Sequence, residues 1–150
     1  MSIAVLCIRP EPFYRCSAFT DGLKRLGYSI IHRQNPDPRD RPKNRDDLLV
    51  LWNKKRGYDE TMAHQWEKLG GTAIIAENGY LQQTDKTYYA LATHGHNGSG
   101  WSPVGADDRF AKLGFTIKPP RDGGEYILVR DQRGIGSTLM ASPMGWGQKM

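Results

Sequence analysis

The segment Ile3-Ala-Val-Leu-Cys-Ile8 is an unbroken apolar run, and it is the feature that most restricts what this chain can fold into. A strand with one solvated face alternates apolar and polar residues. A continuous run of this length instead predicts a strand covered on both faces, as in a parallel sheet sandwiched by helices. Arg9-Pro10-Glu11-Pro12 ends the run, and a proline near a first helical turn suits a helix start. From Phe13 to Leu26 the apolar positions Cys16, Phe19, Leu23 and Leu26 recur at helical spacing, and Gly27 supplies the stop. Ser29-Ile-Ile-His32 reads as the next strand. Strand, helix and strand within about thirty residues make a βαβ unit with parallel strands.

The pattern then repeats in part. Residues 34–47 hold three prolines and alternating charges without a hydrophobic period, so they form a loop. Leu48 to Trp52 restores a buried strand. A helix follows over Asp59 to Leu69, with Met62, Trp66 and Leu69 on one face and Gly70-Gly71 at its end. Thr72 to Ala76 is a further strand, and Tyr88 to Ala92 a strand whose tyrosines suit an edge. A short helix over Asp107 to Leu113 and a late strand over Tyr126 to Val129 complete the reading. The expectation is a single α/β domain over residues 1–150, Rossmann-like, with a mainly parallel sheet flanked by helices.

Composition excludes several classes. With 38% hydrophobic and 25% charged residues among 150, neither a disordered chain nor a membrane protein is indicated. No apolar run approaches the roughly 18–20 residues that a membrane span needs. The Ile3–Ile8 run has no basic region before it and no small-residue cleavage site after it, so it does not read as a signal peptide. Cys7 and Cys16 are too few for a disulfide framework and read as two reduced core thiols, which places the chain in the cytoplasm. The net charge of +5 permits phosphate contact without requiring it.

In an open parallel sheet, ligands bind outside the carboxyl ends of the strands. That rule directs attention to the loops Arg9–Pro12, 34–47, Asn53–Gly57, Glu77–Tyr80 and His94–Gly100. Glu77 directly follows a buried strand, where a carboxylate serves as a general base or as a turn cap. His94-Gly95-His96-Asn97-Gly98 combines imidazoles and a carboxamide with glycines that permit close backbone approach. Its His-x-His spacing is compatible with a metal, with a direct ligand contact or with an ordinary polar loop, and no metal is assigned. The candidate catalytic residues are Glu77 and His94. The candidate ligand-binding residues are Arg9, Asn53, Lys54, Asn78, Tyr80, His96, Asn97 and Gly98. Lys54, Lys55 and Arg56, with Arg39, Arg41, Lys43 and Arg45, form a basic region in which Asp40, Asp46 and Asp47 are interspersed. It reads as a solvated surface or as a weak, salt-dependent phosphate or nucleic-acid contact. Trp52 and Trp101 are available to stack on a base or sugar, or to fill a core.

Three stretches carry a family resemblance: Ala76-Glu-Asn-Gly-Tyr80, Tyr89-Ala-Leu-Ala-Thr-His-Gly-His-Asn-Gly98 and Tyr126-Ile-Leu-Val-Arg-Asp-Gln-Arg-Gly-Ile-Gly136. Together with the order of segments, they resemble the amino-terminal half of glycosyltransferases built from two facing Rossmann-like domains, and uncharacterised phage proteins of that group. The resemblance implies a domain that binds a sugar, a sugar nucleotide or a nucleotide. It also implies that residues from about 126 to 150 are the start of a second domain or a tail. In that family the second domain holds most of the donor site, so activity would require another domain or self-association into a homo-oligomer. Two other readings stay open: a non-catalytic phage binding or regulatory protein acting on nucleic acid or a host protein, and a metal-dependent hydrolase using the histidine loop.

Overall fold

The computed structural model describes residues 1–10, 14–53, 57–79, 88–95, 100–102, 104–105, 111–120 and 123–125. The chain divides into two compact units, with a boundary between Ser102 and Pro103. In the first unit the elements run β1 (Ile3–Cys7), α1 (Cys16–Arg25), β2 (Ser29–His32), β3 (Leu48–Trp52), α2 (Tyr58–Lys68), β4 (Thr72–Asn78) and β5 (Tyr89–Thr93). In the second, residues 111 and 112 are helical, and Gly114 closes the turn by donating its N–H to the Ala111 carbonyl at 3.1 Å. The expected strand at Tyr126–Val129 lies outside the described residues.

The sheet order is β2-β1-β3-β4-β5, with the first four strands parallel. The alternation of side chains along each strand sorts the core into two halves. Ala4, Leu6 and Ile8 of the first run, with Leu48 and Val50 of β3, pack against Cys16, Phe19 and Leu23 on the α1 side. Val5, Cys7, Leu49, Leu51, Ala73 and Ile75 pack against Ala63 and Trp66 of α2 on the other side. Apolar residues at consecutive positions are thus buried on opposite faces, which is why the strands read as continuous runs. The structure is a mostly parallel α/β sheet with a helix on each face.

Local chemistry ends the helices close to where the glycines lie. Gly27 takes φ +87° beyond α1, and Tyr28 N–H returns to the Leu23 carbonyl at 3.1 Å, so the last carbonyls are satisfied. Lys24 and Arg25 stand in that last turn, where cations suit the helix dipole. Leu26 and Leu69, expected on the buried faces, are 74% and 48% exposed because each lies just past its helix.

The last strand departs from the parallel pattern. β5 runs antiparallel to β4, pairing Asn78 with Tyr89 and Ile74 with Thr93. Only residues 79–88 separate the two strands. A parallel return needs a crossover of about a dozen or more residues, usually helical, so the short connection dictates an antiparallel one.

The loop from β2 to β3 crosses beside β1 and is held at several points. Arg33 grips Asp40 through two parallel bonds of 2.7 and 2.8 Å. Tyr58 donates its hydroxyl hydrogen to the Pro36 carbonyl at 2.9 Å. Asp47, expected on a solvated surface, is instead 1% exposed. Its carboxylate accepts the backbone N–H groups of Ile3 at 2.8 Å, Lys43 at 2.6 Å and Asn44 at 3.3 Å. Its own carbonyl accepts the N–H of Thr72 and the indole N–H of Trp66. One residue therefore fastens the starts of β1, β3 and β4 to α2.

Candidate functional site

The strand order creates a switch point. From β1 the chain moves to one side of the sheet to form β2, then crosses to the other side to form β3. The connections leaving the carboxyl ends of β1 and β3 therefore diverge and leave a crevice between them, the usual ligand position in open α/β sheets. A cavity of about 220 Å³ lies there. Cys7 and Leu51, both buried, form part of its floor, and Trp52 and Asn53 continue from the end of β3. Buried Pro36, half-buried Asp59 and the exposed residues Arg9, Gln34 and Asn35 also line it.

Asn53 lines the cavity just past the end of β3. Its backbone takes φ +41°, a left-handed conformation that asparagine tolerates better than most residues. A 2.7 Å bond from its N–H to the Ala76 carbonyl ties it to β4. Its side-chain Oδ1 is buried from solvent and, among the described residues, has no hydrogen-bond partner. Such an acceptor costs about 1–3 kcal/mol when left unmet.

Aromatic packing shapes the same wall. Tyr14 meets Trp52 edge to face at 4.7 Å between centroids, and Trp52 meets Tyr89 at 5.1 Å in the same manner. The Arg9 guanidinium lies 5.8 Å from the centre of the Tyr14 ring, within cation–π range. The Cys7 thiol is pushed up to about 12, chiefly by burial and secondarily by the nearby Asp40 and Asp59 charges. It is therefore protonated at neutral pH and cannot act as a thiolate nucleophile.

Arg9 and Asn53, both expected from sequence to bind ligand, thus meet in one cavity. Lys54, Tyr80, His96, Asn97 and Gly98 lie outside the described residues. Glu77 and Asn78 stand at the end of β4 and are not among the residues lining this cavity. The Glu77 carboxylate accepts the Asn78 N–H at 2.8 Å, as a local turn cap would.

His94 is not beside Glu77. The residue opposite Glu77 is Ala90, and Thr93 lies three residues further along β5. At strand rise that is about 10 Å, with His94 beyond it, so the expected pairing of the two residues in one catalytic site does not form. The cause is the reversed direction of β5, which carries its carboxyl end to the amino end of β4. There His94 Nδ1 lies 3.0 Å from Glu67 Oε1 near the end of α2.

Sequence reading pointed to the 34–47 loop without singling out Gln34, Asn35 or Pro36, and it missed Cys7, Tyr14, Leu51 and Asp59 as lining residues. The signal for Gln34 and Asn35 was their place two and three residues after β2. For Asp59 it was the first turn of the helix that follows β3. A second hollow, of about 590 Å³, runs beside α1 over Phe19, Leu23, Val50, Ile74 and Leu91. Its walls are almost wholly apolar, so it lacks the few placed polar groups that orient a small ligand.

Among the described residues, no helix is long and apolar enough to cross a membrane. Comparison of the chain with family models, curated proteins and solved structures returns no match.

Proposed function

We propose that this chain is a Rossmann-like, glycosyltransferase-type domain of a phage protein that works in the cytoplasm and binds a sugar or part of a nucleotide between β1 and β3. The single observation that supports this most directly is the switch-point cavity itself, which Arg9, Gln34, Asn35, Asn53 and Asp59 line together with Tyr14 and Trp52. Sugars present hydroxyl donors in several directions, and carboxamides and carboxylates placed against an aromatic wall are suited to receive them. Asn53, Asn35, Gln34 and Asp59 supply those groups, and Tyr14 and Trp52 supply the wall. The volume sets a bound. Sites for drug-sized ligands span about 300–1,000 Å³, so a 220 Å³ cavity suits one sugar ring better than a whole sugar nucleotide.

The test is a ligand titration of the full chain, monitored by amide NMR shifts and by melting temperature, against monosaccharides, nucleotides and nucleotide sugars. Binding at this site moves the resonances of Arg9, Gln34 and Asn53. At 100 times its dissociation constant such a ligand stabilises the fold by about 2.7 kcal/mol. Perturbations confined to the exposed Arg41, Lys43 and Arg45 on adding short DNA would favour the nucleic-acid reading instead. No response to any of the three ligand classes overturns the proposal.

A further inference from the structure

The two ends of the sheet differ in charge. Both helices run from the carboxyl end of the strands to the amino end, so α1 delivers Lys24 and Arg25 beside the start of β2, and α2 delivers Lys68 beside the start of β4. The loop before β3 brings Arg41, Lys43 and Arg45 to the same end. Thr72 donates its hydroxyl hydrogen to the Arg45 carbonyl at 3.0 Å, and the Asp47 carboxylate joins the Lys43 N–H to that of Ile3. Strands about 4.8 Å apart place the starts of β2, β1, β3 and β4 within about 15 Å. All six cationic residues are exposed, and none is in an ion pair among the described residues, whereas Arg33 and Arg39 beyond the carboxyl end of β2 are each clamped by an aspartate. Of the carboxylates near the six, Asp47 is buried on backbone N–H groups and Glu67 lies 3.0 Å from His94. That leaves the exposed Asp46, with Asp21 a turn back along α1.

The helix dipole accounts for cations in the last turns of α1 and α2. It does not account for Arg41, Lys43 and Arg45, which lie in a loop, nor for the apolar residues set among the cations. Leu26 directly follows Lys24-Arg25 and is 74% exposed, and Leu69 directly follows Lys68 and is 48% exposed. Because α1 and α2 cover opposite faces of the sheet, the two leucines flank the loop cations from both sides. A nucleic-acid backbone would pair with the cations and leave both leucines in water. An anionic lipid surface takes both: its headgroups meet the Lys and Arg side chains, and the aliphatic side chains enter the boundary with the acyl chains. We propose that the amino end of the sheet docks on an anionic lipid surface, with the six cations on the headgroups and Leu26 and Leu69 inserted on either side of them. Docking of this kind needs no membrane-spanning helix, and it turns the switch-point cavity, at the carboxyl end, towards solution.

The experiment is co-sedimentation of the full chain with vesicles of pure phosphatidylcholine and of phosphatidylcholine holding roughly one third phosphatidylserine. The expected result is binding to the anionic vesicles alone, weakening about tenfold or more as salt rises from about 0.05 to 0.5 M. Replacing Arg41, Lys43 and Arg45 together by glutamine should lower the affinity about tenfold or more. Leu26→Ser with Leu69→Ser should lower it about fivefold, since the inserted aliphatic groups are lost. Arg15→Gln removes an exposed cation at the carboxyl end and should leave vesicle binding unchanged. Unfolding curves of each variant verify that the fold is retained. A labelled DNA duplex, titrated in the same buffers and followed by anisotropy, is the competing polyanion.

Equal binding to neutral and anionic vesicles, or binding to neither, overturns the proposal. So does anionic-vesicle binding that the leucine changes leave untouched, because insertion is what separates a lipid surface from any other polyanion. Duplex DNA bound more tightly than the anionic vesicles at the same salt assigns the face to nucleic acid and overturns it as well. A loss in Arg15→Gln equal to that of the loop variant traces the binding to net charge instead of to this face, with the same consequence. The sugar site lies at the opposite end of the sheet and stands or falls by its own titration.

Discussion

Replacing Asp47 tests the account of how this sheet is held together. Its carboxylate receives three backbone N–H groups, from Ile3, Lys43 and Asn44, at 2.8, 2.6 and 3.3 Å. In Asp47→Ala the N–H groups of Lys43 and Asn44, on exposed residues, can turn to water. That of Ile3 begins β1 in a partly buried position and has less access. Hydrogen bonds to a charged acceptor are worth about 1.5–3 kcal/mol each, and a stranded donor costs about 1–3 kcal/mol. Allowing for the long third bond and for water at two donors, the loss should be about 3 kcal/mol. Against a typical domain stability of about 5–15 kcal/mol that is a large fraction. Asp47→Asn should lose nearly as much, because one oxygen becomes an amide nitrogen directed at a backbone donor. Urea unfolding followed by circular dichroism measures both, and the slope should remain that of the wild type. The pH dependence supplies a second reading. Burial alone would raise this carboxyl, but the three N–H bonds win and hold it below the ordinary carboxylate range. Its contribution is therefore fully present above the unfolded value, near 3.9, and is lost as pH falls through the lower folded value. The stability gap between wild type and Asp47→Asn should narrow as pH drops below about 4. A loss under about 0.5 kcal/mol at pH 7, or a gap independent of pH, would refute the reasoning.

Other perturbations probe separate parts of the structure. Gly71→Ala should destabilise by about 1–3 kcal/mol, because an added methyl would lie 2.6 Å from the Pro42 Cβ and strike the Trp66 indole; a melting temperature equal to wild type would contradict this. Gly70→Ala faces no neighbour but holds φ +91°, so its smaller cost of about 1 kcal/mol should come from the backbone alone. Cys7 should react with iodoacetamide far more slowly than a free thiol at pH 8, and labelling of the native protein at a free-thiol rate would show that it is neither buried nor protonated. His94→Ala should leave sugar affinity at the switch-point cavity within twofold, since β5 carries it away from the carboxyl end of β4; a tenfold loss measured by calorimetry would mean that the two ends of the sheet communicate.

The local elements of this chain were legible because each is dictated by neighbours in sequence. Ile3–Cys7, Leu48–Trp52 and Thr72–Ala76 are continuous apolar runs and became buried strands, while Phe19, Leu23, Met62 and Trp66 recur at helical spacing and became the inner faces of α1 and α2. Even the direction of β5 was written in the short connection before it, although periodicity alone does not reveal it. Side-chain pattern states how much of a segment is buried; it does not state against what. Only the tertiary structure decided that β1 lies between β2 and β3, and hence that Arg9 and Asn53, more than forty residues apart, meet across one crevice. The same holds for Asp47, whose loop composition reads as solvated surface. Its burial depends on the N–H groups of Ile3, Lys43 and Asn44 converging on one carboxylate, an arrangement that exists only once the sheet has assembled.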